Sequence, residues 1–323
     1  MQPTLTPAQP GLLRWMLRAV WMVVIVAVCA CARSQTAPST AVAVPSVTPT
    51  GPTAAPGANV CVPTTSGGGG PVSDPNGPYF HQVAMARTDD GVTLSESRIL
   101  LDHASVPDGV RLADGSVRIY YVNGADGGVW TGSLENGTLA PIGPITINGV
   151  ARPQGVVDPD ASLVGGRIRL AYLAGLGPTT TTRAMCLAES ADGINFTYLA
   201  TAFTVAAGDA LTDPSITVLR SGTWLMAMSN GTRTVLARSA DGLSFAEFAR
   251  VSFGGVPEVT TTADGRVRLY VCAQGIDSYV SSDEGANWSR ERTVVSGSAT
   301  GSRIVCDPSM VAGTNQFVYK VAP

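Results

Sequence analysis

Acidic residues recur beside prolines along most of the chain. The five dipeptides are Pro107-Asp108, Asp158-Pro159, Asp213-Pro214, Pro257-Glu258 and Asp307-Pro308. Two carboxyl groups brought close together can donate and accept protons, and cleavage of a glycosidic bond requires such a pair. A carboxylate that recurs in nearly every repeat can equally be a structural feature of the strand that follows it. The elements that position these residues must therefore be identified first.

Each of these prolines opens a segment of similar pattern. The prolines lie 43 to 55 residues apart, and each is followed by an apolar strand, a glycine-containing turn and a second apolar strand. Segment 107–122 turns at Gly115, and segment 307–320 turns at Gly313. Glycine accepts the positive φ that hairpin turns need. Repeated hairpins at this spacing indicate a β-propeller.

A second motif alternates with the hairpins. Ser281–Trp288 matches the Asp box SxDxGxxW, Ser190–Phe196 and Ser239–Phe245 match a shorter form, and Gly124–Trp130 and Thr88–Leu94 are weaker copies. In such a turn the Asp carboxylate accepts backbone N–H groups, and glycine permits the bend. Asp boxes lie between the third and fourth strands of propeller blades, so we expect these turns at that position.

The order of the motifs predicts how the ring closes. The last hairpin has no box-like turn after it, and the turn at Thr88 has no hairpin before it. Strands near 79–87 and 92–101 are therefore predicted to complete the blade begun by 307–320, which protects the sheet edges. Residues 78–323 are predicted to form an all-β, five-bladed β-propeller closed by N- and C-terminal strands.

The N-terminal residues have the pattern of an export signal. Arg14 and Arg18 precede an apolar run, Ala19–Ala30, that is shorter than the about 20 residues of a membrane span. The run ends at Cys31 in a pattern like a bacterial lipobox, which makes Cys31 the predicted lipidation site; an ordinary secretory signal is the alternative. Residues 1–30 are thus the predicted leader and 31–77 a disordered linker rich in Ser, Thr, Pro and Gly. We expect an exported protein, either a cell-envelope lipoprotein or a secreted one.

The four remaining cysteines suggest two disulfides, with free buried thiols as the alternative. Cys272 ends the second strand of one predicted hairpin, and Cys306 precedes the first strand of the next. Both ends lie on the same face of neighbouring blades, so we expect Cys272 to pair with Cys306. Cys61 would then pair with Cys186 or stay free.

The repeated Asp-Pro, glycine turn and apolar strand resemble the five-bladed propeller glycosidases of the arabinanase and fructosidase type, and the Asp boxes resemble those of sialidases. The resemblance implies funnel carboxylates that act as base or nucleophile, as tuner of a pKa and as general acid. In ring order, these roles fall on Asp158, Asp213 and Glu258. The candidate ligand-binding residues are Asp108, Asp307 and Arg183. No cofactor and no metal are implied.

Composition narrows the function classes. The net charge of −3 provides no basic patch, which argues against nucleic acid as a partner. His81 and His103 are not spaced as a metal pair. We predict a monomeric propeller that recognises a carbohydrate or another extracellular polymer and touches the membrane only through a lipid anchor. Glycoside hydrolase activity stays open, and the alternative is a non-enzymatic structural or protein-binding lipoprotein.

Overall fold

The structure is a ring of five β-sheets around a central channel. The computed structural model describes residues 59–67, 74–176 and 182–322. The first strand of each sheet contacts the first strand of the next, and the fifth contacts the first. The predicted five-bladed β-propeller is confirmed.

Each blade has four antiparallel strands, counted from the channel outwards and numbered here along the chain. Blade 1 contains β3 (Ala104–Arg111), β4 (Val117–Asn123), β5 (Val129–Glu135) and β6 (Thr138–Pro144). Blade 2 contains β9 (Val157–Val164), β10 (Arg167–Ala174), β11 (Ala184–Ser190) and β12 (Asn195–Thr204), and its outer edge is extended by β7 (Thr146–Ile147) and β8 (Val150–Ala151). Blade 3 contains β13 (Thr212–Val218), β14 (Trp224–Asn230), β15 (Arg233–Ser239) and β16 (Ala246–Val251). Blade 4 contains β17 (Gly255–Thr261), β18 (Val267–Cys272), β19 (Gly275–Ser281) and β20 (Ser289–Ser296).

Blade 5 joins the two ends of the propeller. Its inner strands are β21 (Ile304–Met310) and β22 (Gln316–Ala322), and its outer strands are β1 (Gln82–Arg87) and β2 (Ser95–Asp102). The register of β1 against β22 runs from Gln82 opposite Val321 to Arg87 opposite Gln316. The predicted closure is confirmed. A 3₁₀ turn at Pro78–Phe80 precedes β1, and one helical turn, α1 (Gly297–Thr300), links blades 4 and 5.

The core lies between neighbouring blades. One repeated position in the second strand carries Tyr120, Tyr172, Tyr270 and Tyr319, each of them buried. The hydroxyl of Tyr120 donates to the Gly193 carbonyl of blade 2, and that of Tyr270 to the Gly91 carbonyl of blade 5. A buried tyrosine hydroxyl needs such an acceptor, so this position ties blade 1 to blade 2 and blade 4 to blade 5.

The residue before each repeated proline has left-handed backbone geometry. The φ values are 48° at Val106, 54° at Asp158, 49° at Asp213, 46° at Val256 and 47° at Asp307. The pairing of each first strand with the second strand slips in register at this point, which marks a β-bulge. Left-handed geometry is unusual for a β-branched residue such as valine, so the surrounding ring must hold it in place.

Four of the five box-like turns lie between third and fourth strands and are tied internally. The carboxylates of Asp90, Asp192, Asp241 and Asp283 accept backbone N–H groups two to four residues on. The turn expected at Gly124–Trp130 is an exception, because it joins the second and third strands of blade 1. That prediction was wrong: blade 1 joins its third and fourth strands through Asn136 and Gly137, both at positive φ, a turn too short for the motif.

The box-like turns also receive contacts from the preceding blade. An arginine side chain donates to a backbone carbonyl of each of the four turns, and the pairs are Arg118 with Asp192, Arg169 with Gly242, Arg238 with Glu284, and Arg268 with Asp90. The turns therefore serve the packing of neighbouring blades at the end of the ring remote from the repeated prolines.

Two disulfides fasten the ring at the end that carries the prolines. Cys272 is bonded to Cys306, which joins blades 4 and 5, with Cα atoms 5.2 Å apart. Cys61 is bonded to Cys186 of blade 2, with Cα atoms 5.6 Å apart. The leader, Cys31 and most of the predicted linker lie outside the described residues. Among the described residues, no helix is long and apolar enough to cross a membrane.

Candidate functional site

Residues around the repeated prolines form two levels in the central channel. The upper ring holds the residues before the prolines, which are Val106, Asp158, Asp213, Val256 and Asp307. The lower ring holds the residues after the prolines, which are Asp108, Asp160, Ser215, Glu258 and Ser309. Residues of both rings, all except Ser309, line one cavity. We call its opening at the upper ring the upper mouth.

The two levels revise the set of equivalent carboxylates expected from the sequence. Asp158, Asp213 and Asp307 share the upper level, whereas Glu258 and Asp108 belong to the lower level. Asp160 is the blade 2 counterpart of Glu258, and the sequence interpretation missed it. Alignment of the repeats on proline, instead of on the nearest carboxylate, would have revealed it, because the residue after proline is polar in all five repeats.

The lower ring is a hydrogen-bonded belt that links each blade to the next. Asp108 accepts the Ala161 N–H at 2.6 Å, and Asp160 accepts the Ile216 N–H at 3.1 Å. The other three side chains accept in the same way. Ser215 accepts the Val259 N–H at 3.0 Å, Glu258 accepts the Met310 N–H, and Ser309 accepts the Gly109 N–H at 3.2 Å. The belt passes once around the ring, so these side chains have a structural task.

Three carboxyl groups of the lower ring crowd together. One carboxylate oxygen from each of Asp108, Asp160 and Glu258 lies within 4.8 Å of the other two, and all three residues are buried. Burial raises the pKa of Asp108 to about 7. Burial, and then the charges of their neighbours, raise the pKa values of Asp160 and Glu258 well above the usual range. The three carboxyl groups therefore hold protons more tightly than free carboxyl groups do, although their oxygens are also the ligand type that Ca²⁺ and Mg²⁺ take.

The upper ring brings Asp158 and Asp213 together. The backbone N–H of Asp213 donates to the Asp158 carboxylate at 3.2 Å, and the Thr212 hydroxyl donates to the Asp213 carboxylate. Burial raises the pKa of Asp158 to about 6, although the hydrogen bond from the Asp213 N–H opposes this rise. Burial and the nearby charge of Asp158 raise the pKa of Asp213 well above the usual range. Burial therefore raises both pKa values of the pair, and the Asp213 carboxyl group holds its proton more tightly than a free carboxyl group does.

Two cations and a histidine modify the upper ring. The ammonium of Lys320 forms an ion pair with Asp307, and the charge of that carboxylate helps to raise the pKa of Lys320. Arg183 is near enough that its charge opposes the rise in the pKa of Asp158 that burial causes. His81 is buried beside this group, contacts the Ser105 hydroxyl at 2.9 Å, and has its pKa lowered to about 4 by burial and by Lys320. The sequence interpretation did not identify Lys320, which pairs with Asp307 from the adjacent strand.

The space between the two rings is narrow. Its volume is about 30 Å³, which is enough for about two water molecules and far less than the roughly 300–1,000 Å³ of a ligand pocket. On the far side of the lower ring, a second cavity of about 230 Å³ opens to the opposite face, and Asp108, Asp160 and Glu258 border both cavities. A sugar ring therefore cannot pass the upper ring, but a single hydroxyl group can enter it.

Comparisons with known proteins concern the fold. The chain matches no protein-family model and no curated protein. It is similar to a Dyadobacter fermentans protein of unknown function, with 17% identity, a TM-score of 0.51, and coverage of 74% of this chain and 83% of the other. It is also similar to a thermostable family-43 glycoside hydrolase, with 12% identity, a TM-score of 0.50, and coverage of 68% and 83%.

A family 117 glycoside hydrolase produced by the marine bacterium Zobellia galactanivorans is 15% identical, with a TM-score of 0.50 and coverage of 76% of this chain and 91% of the other. At such identities the similarity concerns architecture. The chain has the fold of five-bladed propellers that include glycoside hydrolases, as the sequence resemblance implied.

Proposed function

We propose that this protein is an exported propeller that binds a glycan at its upper mouth. One observation carries the proposal: Asp158 and Asp213 adjoin at a polar opening that admits about one hydroxyl group. An ionised carboxylate accepts hydroxyl hydrogens, and a protonated one can also donate. A sugar that rests on the opening would meet two carboxyl groups that can hydrogen-bond to its hydroxyl groups in either state. The glycoside hydrolases among proteins of the same fold support this ligand class.

A binding experiment on paired variants tests the proposal. We expect Asp213→Asn and Asp158→Asn to lower the affinity for the bound glycan by about tenfold or more, because each removes a contact to a charged or proton-sharing carboxyl group. Asp114→Asn is the matched control, since Asp114 lies in the hairpin turn at the opposite end of blade 1 and bonds only to Ser116 among the described residues. A panel of plant and bacterial polysaccharides supplies the ligands. Failure of the wild-type protein to bind any of them would refute glycan binding.

A glycoside hydrolase is the second candidate, favoured by the raised pKa of the Asp213 carboxyl group next to Asp158. Hydrolysis needs a general acid and a base or nucleophile, and the sequence assigned these roles to Glu258 and Asp158, with Asp213 as tuner. Glu258 lies one level deeper and accepts the Ser215 hydroxyl at 2.7 Å. We therefore favour Asp213 as the acid. Turnover that survives Glu258→Gln but is lost in Asp213→Asn supports this assignment, and the reverse supports the original one.

Export and anchoring complete the proposal. Two disulfides suit an oxidising compartment, and Cys31 would carry the lipid. A non-enzymatic lipoprotein that binds a protein partner is the alternative, and it predicts wild-type protein without affinity for any polysaccharide.

A further inference from the structure

We infer that the ligand is an internal segment of a linear polysaccharide that lies across blades 3, 4 and 5 on the face of the upper mouth. The inference rests on the proposed glycan binding and specifies which part of a glycan is bound. Its basis is a pair of cavities on either side of the turn Cys272–Gln274, which we call the ridge.

The two cavities are far larger than the channel between the rings. The cavity between blades 3 and 4 measures about 550 Å³, and the cavity between blades 4 and 5 about 660 Å³. Both fall within the roughly 300–1,000 Å³ of typical ligand pockets. Cys272, Ala273 and Gln274 border both cavities, so the ridge is their common wall. Ala273 and Gln274 are exposed on its crest.

Both cavities adjoin the upper ring. Val256 borders the cavity between blades 3 and 4 and also the channel. On the other side of the ridge, Cys306 borders the cavity between blades 4 and 5 and directly precedes Asp307, whose N–H donates to the sulfur of Cys272 at 3.3 Å. A chain that fills both cavities would therefore pass beside the upper mouth.

The walls suit a sugar chain. The first cavity presents Thr232, Ser252 and Gln274, and the second presents Thr293, Ser298 and Ser302. Hydroxyl and amide groups both donate and accept, as sugar hydroxyls do. Phe253 adds an apolar surface to the first cavity, and its ring is held by stacking on Tyr279 at 4.2 Å between centroids. Apolar walls with a few placed polar groups are typical of small-ligand sites.

The described N-terminal segment contacts this face at blades 2, 5 and 1 and reaches the border of the second cavity. Thr65 accepts the Gln154 N–H next to blade 2, and Tyr79 stacks on His103 between blades 5 and 1. At the border of the second cavity, Arg303 donates to Asn76 of the same segment. Within the described residues, the N-terminal segment leaves the surface over blades 3 and 4 open to a ligand.

The dimensions favour an internal segment over a chain end. A site for a terminal sugar encloses that sugar in a closed pocket, and the channel of about 30 Å³ is too small for one. Two open cavities separated by a low ridge instead accept consecutive sugars of a continuing chain. Affinity should therefore grow with the number of linked sugars until both cavities are filled.

Oligosaccharides of increasing length test the inference. For each polysaccharide that binds, we expect affinity to rise by about tenfold or more from the disaccharide to the length that spans both cavities and then to level off. Ala273→Trp should obstruct the ridge and reduce the affinity for long oligomers to that of the shortest. Ala263→Trp is the control, because Ala263 is an equally exposed alanine in the blade 4 turn at the opposite face.

Three outcomes separate the inference from the function on which it rests. Equal affinity at every length, or an Ala273→Trp protein that binds long oligomers as the wild type does, overturns the inference. If the same binding is lost in Asp213→Asn, glycan binding at the upper mouth nevertheless stands. Failure of the wild type to bind any glycan overturns both. Melting temperatures of both tryptophan variants show whether a loss of binding reflects unfolding.

Discussion

Asp108 should make the native protein less stable as the pH rises from mildly acidic to alkaline. The side chain is buried in the lower ring, and its pKa of about 7 compares with an ordinary value of 3.8. Because the folded pKa is the higher one, the stabilising contribution is complete below about pH 4 and is lost as the pH rises through 7. At about 1.4 kcal/mol for each unit of pKa, the loss amounts to about 4 kcal/mol.

Asp108→Asn removes the ionisation but keeps an oxygen that can accept the Ala161 N–H. We expect the variant to gain about 3 kcal/mol of stability relative to the wild type between about pH 5 and about pH 8, because about two of the roughly three pKa units of the shift fall in that interval. Urea unfolding at both pH values measures the difference. The control is Asp114→Asn, an exposed position in the turn of the same hairpin. A difference in stability between Asp108→Asn and the wild type that is the same at both pH values would refute the buried-proton argument.

Three further predictions concern the framework. Deletion of residues 82–102 removes the outer half of blade 5 and should abolish cooperative thermal unfolding, whereas deletion of 34–57 should leave the melting temperature unchanged. Replacement of Cys272 and Cys306 by serine should lower the free energy of unfolding in urea by about 4 kcal/mol, because the bond closes a loop of 34 residues; an unchanged value would contradict the expected role of this bond. Cys31→Ser should abolish labelling with palmitate and partition into detergent, and labelling that persists would exclude Cys31 as the lipidated residue.

Much of the fold could be predicted because its signals are local and repeated. Glycines in hairpin turns and apolar strands after each proline identify the inner half of every blade. The unmatched turn at Thr88 and the unmatched hairpin at 307–320 then leave one way to close the ring. The prediction was wrong for the turn at Gly124–Trp130, because its sequence resembles an Asp box but it joins the second and third strands of blade 1 instead of the third and fourth.

The site was less predictable because the depth of a side chain in the channel depends on whether its residue stands before or after the proline. Asp158 and Glu258 look equivalent when repeats are aligned on acidic residues, yet they lie one before and one after a proline and so occupy different levels. Asp160 belongs with Glu258, and Lys320 reaches Asp307 from the adjacent strand. The crowding of these groups, and with it their shifted pKa values, follows from the ring geometry and has no counterpart in any single repeat.

The bond between Cys61 and Cys186 determines where a mechanical load enters the propeller. A pull on the chain before Asn59 reaches Cys61 first and passes through the bond into β11, a central strand of blade 2. The segment that leads from Cys61 to β1 lies outside this path of force. A pull on the chain before Asn59 therefore does not act on the pairing of β1 with β22, whose hydrogen bonds could otherwise break one after another. Tension on the chain before Asn59 is thus transferred to a strand that is paired on both sides and is kept away from the seam of the ring.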